Sequence, residues 1–190
     1  MKNTTSKKGK LVMVVGPPAS GKSTLAAEVH TQLKKRGYNS ALVVEAATDY
    51  IAEWGIPDSP QDQMIIFYKQ LNREKMFLES KDYIICDSSS ILNYFYFRTL
   101  FKNKLTNKDI ASINHIQKEI LKHINTIDEI FYVPPIETKV EDGIRFHGES
   151  EIKKLGTMIK SYLELENIYH RDLSTIDINK RVDYIMDSII

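Results

Sequence analysis

Short apolar runs alternate along this chain with longer stretches in which apolar residues recur every third or fourth position. The runs are Leu11-Val12-Met13-Val14-Val15, Ala41-Leu42-Val43-Val44, Tyr83-Ile84-Ile85-Cys86 and Glu129-Ile130-Phe131-Tyr132-Val133, with a weaker one at Ile168-Tyr169-His170-Arg171. Continuous, β-branched runs of this length predict strands buried on both faces, as in a parallel sheet. Between them the helical spacing is plain. Leu25, Val29 and Leu33 mark a helix over 23–35, closed by Lys34-Lys35-Arg36-Gly37, with positive charge and a glycine at its C-terminus.

Residues 46–58 predict a short helix and a loop. Ser59-Pro60-Gln61-Asp62 supplies an N-cap, a proline at the first position and an acid at the third, so a long helix starts there. Its apolar stripe is Met64, Phe67, Tyr68, Leu71 and Leu78. The stretch 91–124 predicts helix, broken near 103–106, where Thr106-Asn107-Lys108-Asp109 resembles a capping box. Ile110, Ile113, Ile116, Ile120 and Ile124 form the inner face of its second half. Further helices follow, one through Ile152, Leu155, Ile159, Tyr162 and Leu163, and one capped by Ser174-Thr175-Ile176-Asp177 that packs through Ile178, Val182, Ile185 and Ile189. This alternation predicts an α/β three-layer fold with a mainly parallel five-stranded sheet.

One connection carries chemistry. Gly16-Pro17-Pro18-Ala19-Ser20-Gly21-Lys22-Ser23 fits G-x-x-x-x-G-K-[ST], with a strand before it and a helix after it, which is the context a P-loop requires. Backbone N–H groups of such a loop surround the β-phosphate of a nucleotide, and the helix adds the positive end of its dipole. The expected nucleotide-binding residues are Gly16, Pro17, Pro18, Ala19, Ser20, Gly21, Lys22, Ser23 and Thr24. Lys22 bridges the β- and γ-phosphates, and Ser23 offers its hydroxyl to Mg²⁺.

Two further strands end in acids. Ala41–Val44 runs into Glu45, and Tyr83–Cys86 into Asp87, and in an open parallel sheet the carboxyl ends of strands face the ligand crevice. Asp87 is therefore expected to hold Mg²⁺ with Ser23; the alternative is a helix N-cap for the segment opening at Ile91. The four aromatics Tyr94-Phe95-Tyr96-Phe97 exceed what one stripe hides, so a core role for most and a pocket-lining role for some are both open. In the loop Glu141-Asp142-Gly143-Ile144-Arg145-Phe146-His147-Gly148, glycines flank Arg145. That suits a mobile cover bringing a cation over a reacting phosphate.

The composition adds limits. The 190 residues carry 26 basic and 25 acidic side chains, a net charge of +1, which gives no general attraction to nucleic acid or to an anionic membrane. The expectation is a flexible basic tail over 1–9 and a single domain over 10–190. Cys86 is the only cysteine, so no intramolecular disulfide forms. The polar start and the shortness of the apolar run after it read as a cytoplasmic protein with no membrane span. Oligomeric state is left open between monomer and homodimer. No internal repeat is visible.

The P-loop Gly16–Ser23, the stretch Glu45-Ala46-Ala47-Thr48-Asp49-Tyr50-Ile51, the strand ending Cys86-Asp87, the Asp142-Gly143-Ile144-Arg145 loop and the helix after it together resemble the ribosylnicotinamide kinase domain of a bacterial NAD-biosynthesis regulator. They resemble the wider NadR-like group of small P-loop kinases and ATPases too, over nearly the whole chain from Lys10. The resemblance implies a P-loop kinase fold with ATP over Gly16–Ser23 and an acceptor near Glu45 and Asp87. The chain departs from that family at Thr48, where an arginine is usual, and at Ser89, where a second acid is frequent. Both departures bear on the acceptor rather than on ATP.

The expected activity is transfer of the γ-phosphate of Mg·ATP to a hydroxyl of a nucleoside- or nucleotide-like small molecule. Lys22, Glu45, Asp87 and Arg145 are the expected catalytic residues, and Ser23 and Asp87 the metal ligands. Glu45 orients the acceptor hydroxyl and accepts its proton. Two alternatives stand beside it. A kinase acting on nucleic acid would use the basic stretch of Arg98, Lys102, Lys104 and Lys108, and a regulatory module would bind ATP without transfer.

Overall fold

A computed structural model describes residues 8–100, 106–136 and 149–190. Strand β1 (Lys10–Val15) leads through the P-loop into α1 (Lys22–Lys35), and β2 (Ser40–Val43) follows. Helices α2 (Ala46–Trp54) and α3 (Pro60–Met76) precede β3 (Tyr83–Asp87), which is followed by α4 (Ser90–Leu100) and α5 (Asn107–Ile124). The chain ends with β4 (Glu129–Tyr132), α6 (Glu149–Leu165), β5 (Arg171–Asp172), a 3-10 turn (Ile178–Lys180) and α7 (Arg181–Ile189).

The strands form one sheet in the order β2-β3-β1-β4-β5, and every neighbouring pair is parallel. β1 lies at the centre, with Val14 paired to Asp87 on one side and to Phe131 on the other. Its alternating side chains enter two cores. Leu11, Met13 and Val15 pack among α3, α4, α5 and α6, whereas Val12 and Val14 pack with Leu25, Val29 and Leu33 of α1 and with Ile185, Met186 and Ile189 of α7. Both faces of β1 are covered, hence its unbroken apolar run.

The helix boundaries follow local chemistry. Ser59 Oγ accepts the Asp62 amide, and the Asp62 carboxylate accepts the Ser59 amide in return, with Pro60 at the first position; Thr106 and Asp109 repeat that box at α5. Gly37, at φ 84°, ends α1 in a Schellman motif, the Tyr38 amide reaching back to the Leu33 carbonyl at 3.0 Å.

Two expected boundaries shift. The last strand is not 168–171 but Arg171–Asp172, because the Ile168 amide is spent on the Leu163 carbonyl at 2.8 Å, closing α6 beside a left-handed Asn167. Asp177 caps the 3-10 turn rather than α7 itself. Of the four aromatics, Tyr94, Phe95 and Phe97 are buried, because α4 packs against α3, α5 and α6 and so has little exposed face; Tyr96 alone is half-buried. Arg98 of the basic stretch pairs with Glu166 at 3.4 Å. Lys102 and Lys104 lie outside the described residues. Among the described residues no helix is long and apolar enough to cross a membrane.

Candidate active site

At the end of β1 the chain turns in a space that admits no side chain at its first residue. A Cβ on Gly16 would overlap the Val133 carbonyl oxygen and lie 3.0 Å from Ser20 Oγ. Two left-handed residues then reverse the backbone, Ala19 at φ 61° and Gly21 at φ 80°. Gly21 is the N-cap of α1 and offers no side-chain cap, which leaves the amino end of that helix to an incoming anion. Ser20 Oγ is buried without a hydrogen-bond partner. Pro17 is buried, Pro18 half-buried, and Ser23 and Thr24 are exposed on the first turn of α1.

Lys22 is 8% exposed. Its Nζ stands 3.7 Å from Glu45 Oε2, so the P-loop and the exit of β2 meet at one ion pair. Glu45 occupies the N-cap position of α2 but makes no side-chain cap bond. Its carboxylate therefore faces the lysine instead of its own helix.

Asp87, the last residue of β3, is 7% exposed, and its Oδ1 has no hydrogen-bond partner. Burial pushes its pKa up, Lys22 and a hydrogen bond from the Ser23 side chain pull it back, and Glu45 adds to the rise. Lys22, Ser23, Glu45 and Asp87 thus share one electrostatic environment. The N-cap alternative for Asp87 gives way locally to Ser89, whose Oγ accepts the Ile91 amide at 3.1 Å. Arg145 lies outside the described residues.

The structure adds residues that the sequence reading passes over. Ser88 has φ 77°, and Ser88 Oγ and Asn93 Nδ2 are buried without partners just after Asp87. Tyr96, one of the aromatics already open to a pocket-lining role, has its phenol pushed up chiefly by burial and then by the Glu45 charge. α3 presents a buried polar face as well, of Gln63, Gln70 and Glu74. Its only signal in the sequence is a glutamine and a glutamate four residues apart beside Leu71, a spacing that an exposed salt-bridge face shares. A separate groove of about 640 Å³ opens between the β4 exit at Pro134-Pro135 and α6, and contains Lys160, which is paired with Asp172 at 2.6 Å.

A family model described as an AAA domain matches residues 11–181. The chain belongs to the AAA domain family. Among solved structures, this AAA domain resembles NadR protein in complex with NR, with a TM-score of 0.70 at 18% identity over 95% of this chain. The chain spans 50% of that protein's length. Deoxyadenosine kinase from M. mycoides with bound dCTP is similar with a TM-score of 0.62 at 13% identity, covering 94% of this chain and 97% of that one. The same kinase with bound dATP gives a TM-score of 0.61 at 14% identity, covering 94% and 98%. No curated protein matches the sequence. The AAA domain therefore has the P-loop NTPase fold seen in nucleoside kinases: a parallel sheet with flanking helices and a P-loop at the end of its central strand.

Proposed function

We propose that this AAA-domain protein is an ATP-dependent kinase that transfers the γ-phosphate to a hydroxyl of a nucleoside- or nucleotide-like small molecule. The observation that carries this reading is the convergence of Lys22, on the first turn of α1, with Glu45 and Asp87 from the exits of the neighbouring strands β2 and β3. A nucleotide-binding regulator needs the P-loop; it has no need of an uncapping glutamate set against the P-loop lysine. The structural neighbours were solved with NR, dCTP and dATP, which supports an acceptor of nucleoside type.

The P-loop amides and the α1 amino end hold the phosphates of ATP, and Lys22 takes charge from the β- and γ-phosphates. Glu45 accepts a hydrogen bond from the acceptor hydroxyl and aligns its oxygen with the γ-phosphorus. As the new P–O bond forms and the bond to the β-phosphate oxygen breaks, Glu45 takes the hydroxyl proton and ADP leaves. Arg145 is proposed as the second cation over the transferred group.

A magnesium ion fits this donor set. Asp87 Oδ1 is buried without a partner, the Ser23 side chain is near enough to pull that carboxyl's pKa down, and hard oxygen ligands are what Mg²⁺ takes. Among the described residues no group of three or more His, Cys, Asp or Glu side chains could hold a metal, so Ser23 and Asp87 would hold the ion together with the nucleotide's own oxygens. When bound, it neutralises charge on the phosphates.

The test is incubation with Mg·ATP and a panel of nucleosides, nucleotides, nicotinamide riboside and modified DNA, followed by mass spectrometry. A gain of one phosphate on a nucleoside-like acceptor is expected. Phosphorylation of DNA alone, or ATP binding with no acceptor-dependent ADP release, overturns the reading.

A further inference from the structure

Glu74 is the most enclosed carboxylate described, at 0% exposure, and it stands outside the phosphate-binding machinery. Its two oxygens are surrounded by donors. Oε1 accepts the Ser90 amide at 2.6 Å and Gln70 Nε2 at 3.2 Å; Oε2 accepts the Ser90 hydroxyl at 2.7 Å and faces His123 Nε2 at 2.7 Å. A carboxylate accepts about four hydrogen bonds, so this one is saturated. Gln70, also at 0% exposure, passes the connection on: its Oε1 accepts the Ala46 amide at 2.9 Å.

The two ends of this chain of bonds are significant. Ala46 follows Glu45, and Ser90 opens α4 three residues after Asp87. Arg73, which precedes Glu74 on the same helix, donates to the Val44 carbonyl at 3.3 Å and pairs with Asp49 of α2 at 2.5 Å. The backbone on both sides of Glu45 is thereby held by α3, and the same helix holds the segment that carries Asp87. A core built only for packing would fill this space with apolar side chains, because burying a charged group is costly unless it is fully paired.

We propose that Glu74 is a positioning residue that, through Gln70 and Ser90, ties the exits of β2 and β3 into one unit and so sets Glu45 and Asp87 relative to Lys22. This rests on the kinase reading above. The link has geometric leverage, since a misplacement of about 1 Å in a reacting group can cost on the order of a hundredfold in rate.

The test uses the full chain carrying Gln70→Met, which keeps side-chain volume but removes the bond to Ala46, alone and combined with Glu45→Gln. Gln70→Met is expected to lower kcat by roughly ten- to a hundredfold with KM for ATP unchanged, and to cost nothing more once Glu45 is already Gln. A folded Gln70→Met protein with the wild-type kcat, or a loss that multiplies with that of Glu45→Gln, overturns the proposal. Ser90→Ala, a milder change on the other arm, is expected to speed amide hydrogen exchange at Ala46, which Ser90 does not touch; unchanged exchange there refutes the coupling even if Gln70→Met fails to fold. If the wild type phosphorylates no acceptor, the kinase reading fails by itself, and the exchange measurement still decides whether the two exits are tied.

Discussion

Lys22 Nζ lies 3.7 Å from Glu45 Oε2, and both side chains are largely shielded, at 10% and 21% exposure. The pair joins the first turn of the P-loop helix to the exit of the edge strand β2, although β3 lies between β2 and β1 in the sheet. Asp87 feels the same ammonium charge, which pulls its pKa down against the larger effect of burial. In the proposed reaction, arriving phosphate oxygens would give Lys22 a competing set of acceptors and so free Glu45 for the hydroxyl proton.

Replacing that lysine is expected to remove function and leave the fold. Lys22→Met keeps the length of the side chain, so circular dichroism and the unfolding midpoint should change little. Turnover should fall by at least about a hundredfold. Activity within a few-fold of wild type would show that the P-loop lysine carries no transition-state charge here.

Glu45→Gln separates binding from chemistry. The amide is isosteric, Glu45 makes no cap bond that α2 would miss, and the P-loop loses only the ion pair of Lys22, which phosphate oxygens replace when ATP binds. We expect kcat to drop by about 10²- to 10⁴-fold with little change in KM for ATP. Steady-state kinetics at saturating acceptor give the answer, and full turnover would take the proton-acceptor role away from this residue.

Gly16→Ala addresses the loop's shape. The added methyl meets the Val133 carbonyl oxygen and Ser20 Oγ, and backbone carbonyls at the end of a central strand have little room to retreat. A loss of about 1–3 kcal/mol in stability is expected, with weaker nucleotide binding. Denaturant unfolding and calorimetry with an ATP analogue measure the two; an unperturbed protein would mean that the loop has more freedom than its contacts imply.

Asp62 predicts a pH dependence at the start of α3. The Tyr50 hydroxyl donates to its carboxylate at 2.6 Å, and that bond, with help from Ser59, holds its pKa below the ordinary 3.8 against the opposing effect of burial. A lowered acid pKa means stability that is present above about pH 4 and disappears as pH falls through the folded-state value. Asp62→Asn should therefore unfold at a lower temperature than wild type at pH 7, and the gap should close on going from pH 4 towards pH 2. A gap that stays constant over that range would deny the carboxylate its part.

Local sequence determined much of this protein by itself. Gly16–Ser23 names a P-loop because only glycine tolerates the close approach to Val133, and a lysine and a hydroxyl at fixed offsets follow from phosphate chemistry. The boxes at Ser59–Asp62 and Thr106–Asp109 and the glycine stop at Gly37 were equally legible, since each is closed by atoms a few residues apart. The unbroken run 11–15 already told of a strand covered on both faces.

Only the tertiary structure decided which strand exits stand together. Glu45 and Asp87 meet Lys22 because the sheet order is β2-β3-β1-β4-β5, and no periodicity encodes the order of strands. Ile168 reads as strand until its amide is seen closing α6. The burial of Tyr94, Phe95 and Phe97 likewise depends on how many neighbours cover α4. Gln70 and Glu74 illustrate the limit best: along the chain they look like solvated polar positions of a long helix, and only partners contributed by α4, α5 and the start of α2 turn them into a saturated buried network. Hydrogen bonds between distant elements depend on where the chain has been brought in space, which a residue's own neighbours in sequence do not specify.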